Sequence, residues 1–302
     1  MVHAVTATVL STLLAQAPAE AKQNRPPQTD QTVPAARGTR LVIDNHSGEV
    51  VIHAWEKDAV RVQARHTSRA RVNVRTGANV INVDAETERG PVGSVDYDIN
   101  APAWIAIKIE GQYDYVSVEG VQGEISVETV RGDVVLKNIG SAIAKTIEGA
   151  IEIDGARGKL TLSSVNEEIK VTGASGEVAA ETTNGEITLM RMEAIAVEVA
   201  TINGDVVYEG RLADRGHYSF TNHSGDIELT VPETSNATFN VRAYSGEFNT
   251  ALPVKGPDSS QVRRGRRVSY TLGNGSAEVE LESFSGDIKL RRPGAARTRR
   301  DQ

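Results

Sequence analysis

The chain has 302 residues, with 40 acidic and 33 basic side chains, no cysteine and 4% aromatic residues. Without Cys there are no disulfide staples, no thiol catalysis, no Cys-ligated metal centre and no lipoprotein anchor. A formal charge of −7 argues against general nucleic-acid binding. With so few large rings, the core has to be thin and regular, filled by aliphatic residues. Charge is uneven. Arg263, Arg264, Arg266 and Arg267 form one basic knot, and Arg291, Arg292, Arg297, Arg299 and Arg300 form a basic tail with Asp301. The rest is therefore more acidic than the net value, at about −15.

In chain order, residues 4–15 (AVTATVLSTLLA) form an uncharged apolar run followed by small residues. The run is too short to span a bilayer but has the length of a signal-peptide core, so residues 1–21 read as a signal peptide. Cleavage after Ala19 or Ala21 fits, although His3 stands where a Lys or Arg is usual. Residues 22–38 are polar, carry three prolines and lack periodicity, which predicts a disordered linker. Residues 291–302 read as a disordered basic tail. No stretch approaches ~18 apolar residues, so no transmembrane helix is predicted. The expected location is the periplasm or the outer surface of a bacterium.

Residues 39–290 read as one domain with an internal repeat. Residues 39–116 alternate like strands but lack a regular step, and predict atypical end coils. From residue 117 to 290 a short phrase, polar-Gly-acidic-apolar, recurs about every nine residues and stretches downstream. Its glycines, with one earlier copy, are Gly48, Gly123, Gly132, Gly149, Gly158, Gly176, Gly185, Gly204, Gly225, Gly246 and Gly286. Two positions after each Gly, or after Glu167 in the one slot without Gly, stand Ile125, Val134, Ile151, Leu160, Ile169, Val178 and Ile187. Four positions after stand Val127, Leu136, Ile153, Leu162, Val171, Ala180 and Leu189. Alternation of this kind is a half-buried strand and not a helix. Seven positions after the Gly the residues are again mostly apolar (Val130, Ile139, Ile147, Ala156, Val165, Ala174, Met192), which predicts a third inward position. The Gly predicts a corner, where φ is positive or a tightly crowded Cα leaves no room for a side chain, as at Gly132 and Gly185.

Two nine-residue sides make one coil of about eighteen residues. The fold class is thus all-β, a parallel β-solenoid with a flattened two-sheet cross-section. A lone coil buries too little apolar surface to offset its backbone entropy, so stacking is obligatory.

The segments SVEGVQGEISVETVRGDVVL, ETTNGEITL, TNHSGDIELTVPETSNATFNVRAYSGEF and LESFSGDIKL resemble a bacterial β-strand-repeat family of unknown function, whose members are often labelled candidate adhesins. The resemblance runs from about Thr39 to Leu290. It implies an envelope-facing β-solenoid and supplies no catalytic residues.

A search for chemistry finds little that is unique. The six His residues form no H-E-x-x-H pair, and no nucleophile elbow or Walker loop occurs. The acids after the corner glycines, Asp133, Glu186, Asp205, Asp226, Glu247 and Asp287, line up as a candidate acidic edge. Stacked carboxylates repel, and Ca²⁺ is the one cofactor the pattern leaves open. The double glycine of a calcium roll is absent, so no cofactor is expected. The expected function is a non-catalytic adhesin or envelope scaffold, with a cell-surface glycan or another envelope protein as partner. The alternatives are a carbohydrate-active β-helix, with Tyr208, Tyr218, Phe220, Tyr244, Phe248 and Phe284 as a sugar-stacking wall, and a filament assembled end to end.

Overall fold

A computed structural model describes residues 27–257 and 265–294. The signal segment, Arg263, Arg264 and the end of the basic tail lie outside the described residues. Among those described there is no helix. The N-terminal strands are β1 (Thr29–Pro34), β2 (Arg40–Trp55), β3 (Ala59–Arg65), β4 (Ala70–Thr76), β5 (Val80–Thr87), β6 (Asp96–Pro102) and β7 (Ala106–Glu119). The middle carries β8 (Ile125–Glu128), β9 (Val134–Ile139), β10 (Ala142–Lys145), β11 (Ile151–Ala156), β12 (Leu160–Ser163), β13 (Ile169–Asn184) and β14 (Ile187–Asn203). Next come β15 (Val206–Gly210), β16 (His217–Ser224), β17 (Ile227–Thr230), β18 (Ala237–Ala243) and β19 (Phe248–Thr250). The last are β20 (Val268–Leu272), β21 (Ala277–Ser285) and β22 (Ile288–Arg291).

These strands stack into two parallel ladders facing each other across the core. One ladder runs β7, β8, β10, β12, β13, β14, β16. The other runs β7, β9, β11, β13, β14, β15, β17. The long strands bend round an edge and serve both. Pairing joins equivalent repeat positions: Ile125 lies opposite Ala142, and Ile151 lies between Val134 and Ile169. Like therefore stacks on like, and each inward Ile, Val or Leu is sealed by its counterparts one coil up and down. Ile151, Ile153, Ile169 and Val171 are fully buried, while Glu152 and Lys170 between them face water and pair with each other at 3.2 Å. Toward the C-terminus the core widens to take Tyr208, Tyr218, Phe220 and Phe239, all fully buried. Tyr208 and Phe220 meet edge to face at 5.4 Å, and the Tyr218 hydroxyl donates to the Ala194 carbonyl. Tyr208, Tyr218 and Phe220 are thus core residues and not part of a sugar-stacking wall.

The parallel stack does not run through in chain order. At the N-terminal end β2 lies between β7 and the pair β5 and β6, so the first long strand is sandwiched by later ones. At the other end β21 and β22 insert between β16 and β17 below and β18 and β19 above. Antiparallel strands close both ends: β4 on β5, β3 on β6 with β1 on β3, and β20 on β18. The expectation of regular repeats through residue 290 is corrected here, since the span from β18 to β20 is a hairpin-bearing cap. Caps of this kind hide the open ladder ends that would otherwise template further pairing.

Residues 29–34 were expected within a linker, and instead form β1. Its burial follows no apolar period because it is an outer strand, held by backbone bonds to β3 and by the fork of Arg61 on Asp30. That hydrogen bond, with the guanidinium charge, holds the Asp30 carboxyl below its ordinary range. An edge strand whose interactions are mainly polar leaves no hydrophobic signature to read.

The corner glycines divide between two causes, a positive φ and a crowded Cα. Gly48, Gly132, Gly176, Gly225 and Gly286 have positive φ, whereas Gly123, Gly149, Gly158, Gly185, Gly204 and Gly246 do not. What the set shares is crowding. At Gly185, with ordinary φ, a Cβ would fall within 3 Å of the Glu167 carbonyl on the preceding coil. At Gly132 it would meet the Asp114 carbonyl, and at Gly158 the Ser141 hydroxyl. Coil spacing of about 4.8 Å leaves no room there for a side chain pointing along the stack.

Candidate functional site

The inward position predicted seven residues after each Gly splits into two kinds. Along one edge Val121, Ile139, Ala156, Ala174 and Met192 are buried. The residue before each (Gly120, Asn138, Gly155, Gly173, Arg191) has positive φ, and that kink turns the next side chain inward. Along the other edge Val130, Ile147 and Val165 are 42%, 46% and 37% exposed, correcting the expectation that they are buried. There the preceding residue turns inward instead. Thr129, Thr146, Ser164, Thr182, Thr201, Asn222 and Ser283 form a buried polar row. Most of them bond a carbonyl of the corner glycine row: Ser164 to Gly149, Thr182 to Glu167, Thr201 to Gly185 and Ser283 to Gly286, at 3.1–3.3 Å.

This second edge is written in the sequence as a four-residue phrase, Thr/Ser/Asn then mostly apolar, any residue, Gly. Its copies include NHSG at 45–48, TVRG at 129–132, TIEG at 146–149, TING at 201–204, NHSG at 222–225 and SFSG at 283–286. The phrase precedes its Gly, so the alternation that follows the Gly does not reveal it. Strand register stacks the second residues into one outward row: His46, Gln112, Val130, Ile147, Val165, Thr183, Ile202, His223, Phe284 and Tyr244. Ile202 is 50% exposed and Phe284 41%. At one end His223, Phe284 and Tyr244 stack with centroids 5.1 and 4.3 Å apart, and Arg242 covers the Tyr244 ring. At the other end His46 meets the Tyr113 ring edge-on, with Arg131 over it. The third residues form a polar row in which Asn203 donates to Asn184 and Asn184 to Asn166, at 2.8 and 3.1 Å.

One copy of the phrase departs from the rest. At residues 111–114 it reads Gly-Gln-Tyr-Asp, and the Asp114 carboxylate swings back into the place that a side chain on Gly111 would fill. It is fully buried, accepting from Asn45 Nδ2 at 2.7 Å and from the Gln112 N–H at 3.1 Å. Burial pushes its pKa up to about 7, against those two hydrogen bonds. Sequence reading missed Asp114 because it stands where a corner Gly is expected.

The acidic edge lies just beyond the same corner, but its Asp residues are not free. Asp133 accepts from the Ala150 N–H, Asp205 from Asp226, Asp226 from Asp287, and Asp287 from Glu247, at 2.8–3.1 Å. Each carboxylate thereby staples one coil to the next, and Lys289 bridges Asp226 and Asp287. Glu186 takes the Thr188 hydroxyl. Glu247 continues the row at the coil formed by β18 and β19. Among the described residues no group of three or more His, Asp or Glu is placed to hold a metal ion. His217 and Glu278 stand 3.5 Å apart on neighbouring coils, exposed on a strand face.

Corner glycines, stacked like positions and capped ends are the features on which a family can be recognised. The Toastrack DUF4097 family matches residues 38–291. The chain belongs to that family. No curated protein matches the sequence. Among solved structures, this Toastrack chain is similar to a candidate adhesin from Bacteroides fragilis, at 11% identity and a TM-score of 0.43. That match covers 87% of this chain and 96% of the other. A candidate adhesin from Parabacteroides distasonis has 12% identity, the same coverages and a TM-score of 0.38. A candidate cell adhesion protein from Clostridium sporogenes has 12% identity, covers 89% of this Toastrack chain and 100% of its own, and scores 0.23. Among the described residues no helix is long and apolar enough to cross a membrane.

Proposed function

We propose that this Toastrack chain is a non-catalytic, exported binding rod of the bacterial envelope, acting as an adhesion or scaffold module without a cofactor. The observation that carries the reading is the exposed row from His46 to Tyr244, one side chain per coil along the stack. Solvent-facing Val130, Ile147, Val165, Ile202 and Phe284 lie in one line, interrupted by Thr183 and His223, and form an exposed apolar strip, the kind of surface that marks an interaction site. The apolar run at residues 4–15 supports export. At the N-terminal end the outer strands β1 and β4 carry Pro34, Arg71 and Arg75, which disfavours end-to-end pairing into filaments there.

The test is retention of cells and envelope fractions on the immobilised chain. Replacing Val165 and Ile202 together by Ser is expected to lower retention at least about tenfold, while the thermal midpoint stays close to wild type. Retention that survives the replacement would sink the reading. So would release of unsaturated or reducing ends from bacterial polysaccharides that one Asp→Ala change abolishes, which would make the chain an enzyme.

A further inference from the structure

We infer that the exposed row docks an amphipathic helix of a partner polypeptide, apolar on one face and basic along its flanks. The inference rests on the row being the binding surface, as proposed above, and adds the chemistry of the ligand. Spacing comes first. The coils step by about 4.8 Å, and apolar side chains stand on three successive coils (Val130, Ile147, Val165) and then on alternate ones (Ile202, Phe284). One face of a helix recurs once per turn, about every 5.4 Å. One face of an extended strand recurs about every 6.6 Å and falls out of step within two coils. Over the three successive apolar coils from Val130 to Val165 a helix slips by only about 1.2 Å in all, which rotamer changes absorb.

Shape agrees with spacing. Two shallow hollows open beside the row. One, of about 500 Å³, is floored by Thr129, Val130, Thr146 and Ile147 and rimmed by Glu110 and Glu128. The other, of about 480 Å³, lies among Val165, Thr182, Ile202 and Phe284 and is rimmed by Glu181. Apolar side chains one or two turns apart on a docked helix would enter them in sequence.

Charge decides the partner. Glu110, Glu128 and Glu181 flank the row on one side; Lys108 and Lys145 pair with the first two. Across the glycine corner stand Glu186, Asp205, Asp226, Asp287 and Glu247, with Lys289 against two of them. The margins are therefore acidic on balance over the C-terminal coils. A second copy of this chain would bring the same acids to the same line and be repelled. A helix with Lys or Arg on its flanks would be attracted.

The experiment titrates the full chain, near physiological salt, with three labelled peptides of about 20 residues. One places Leu and Lys at helical spacing, one alternates the same residues, and one replaces Lys by Glu at helical spacing. The Leu/Lys helix is expected to bind at least about tenfold more tightly than the other two. The paired Val165→Ser and Ile202→Ser changes should cost about tenfold, whereas Ile195→Ser should leave affinity within about twofold. Ile195 is 57% exposed but lies on the opposite edge, so it controls for loss of exposed apolar area. Equal binding of the three peptides, or an equal loss with Ile195→Ser, overturns the inference. A concentration-dependent dimer abolished by the paired change also overturns it, in favour of a second copy. If cell retention depends on the row while no peptide binds selectively, the ligand chemistry is wrong and the binding-rod reading survives.

Discussion

The two edges of the solenoid begin from the same repeat and end in opposite chemistry. At one edge a residue with positive φ sits before Ile139, Ala156, Ala174 and Met192, and the apolar side chain goes inward. At the other a Thr, Ser or Asn takes the inward place, in most coils binding a corner carbonyl, and Val130, Ile147, Val165 and Ile202 stay outside. The inward slot at each corner holds one side chain. Whichever residue has the better local reason to occupy it leaves its neighbour outside. The buried edge closes the core, and the exposed edge is what the chain offers to a partner.

The hardest way to break this comparison is to place a charge at the same repeat position on each edge. Ile139→Asp should unfold the chain or cost more than ~4 kcal/mol, since an unpaired carboxylate is buried in the core. Ile147→Asp should shift stability by less than ~1 kcal/mol. Urea unfolding of both variants checks this, and similar midpoints would contradict the division of the edges.

Asp114 gives the next largest effect. Its folded pKa of about 7 lies above the ordinary carboxylate value of 3.8, so the folded state holds its proton over a range where the unfolded chain has lost it. Stability should therefore fall as pH rises from about 4 to about 7 and then level off, by roughly 3–5 kcal/mol from this group. Asp114→Asn should flatten that limb of the stability profile. A wild-type profile that rises over the same interval once the Asn profile is subtracted would refute the burial argument.

Smaller changes sharpen the account of each corner. Thr182→Val removes a buried hydroxyl that bonds the Glu167 carbonyl and should cost about 1–2 kcal/mol by thermal unfolding. Arg191 has φ of 53°, so Arg191→Gly should stabilise by about 0.5–1 kcal/mol. A loss on making that change would mean that the Arg191 contact with Asp154, at 3.8 Å, outweighs the backbone term.

Much of the fold was legible because β-structure that stacks like on like repeats its own sequence. Ile125, Ile151 and Ile169 announce the inward face, and Glu152 and Lys170 the outward one. The site was half legible. Its acids and glycines were named from sequence, but Val130, Ile147 and Val165 were assigned to the core, because an apolar residue at a regular step reads the same whether it is buried or stacked in water. The sequence lines the acids up as an edge, and only the register shows Asp205, Asp226 and Asp287 bonding backbone N–H groups of the next coil.

What the sequence determined by itself is local: the alternation that makes strands, the step that makes coils, and the glycines where no side chain fits. The tertiary structure decided what depends on distant segments. The threading of β2 between β6 and β7, and of β21 between β16 and β18, is invisible to a period, because equivalent coils offer equivalent partners. The antiparallel caps, the filling of the Gly111 gap by Asp114 and the division of the two edges all turn on which side chain wins a shared space. Periodicity names the contenders for that space, and packing and hydrogen bonding choose among them.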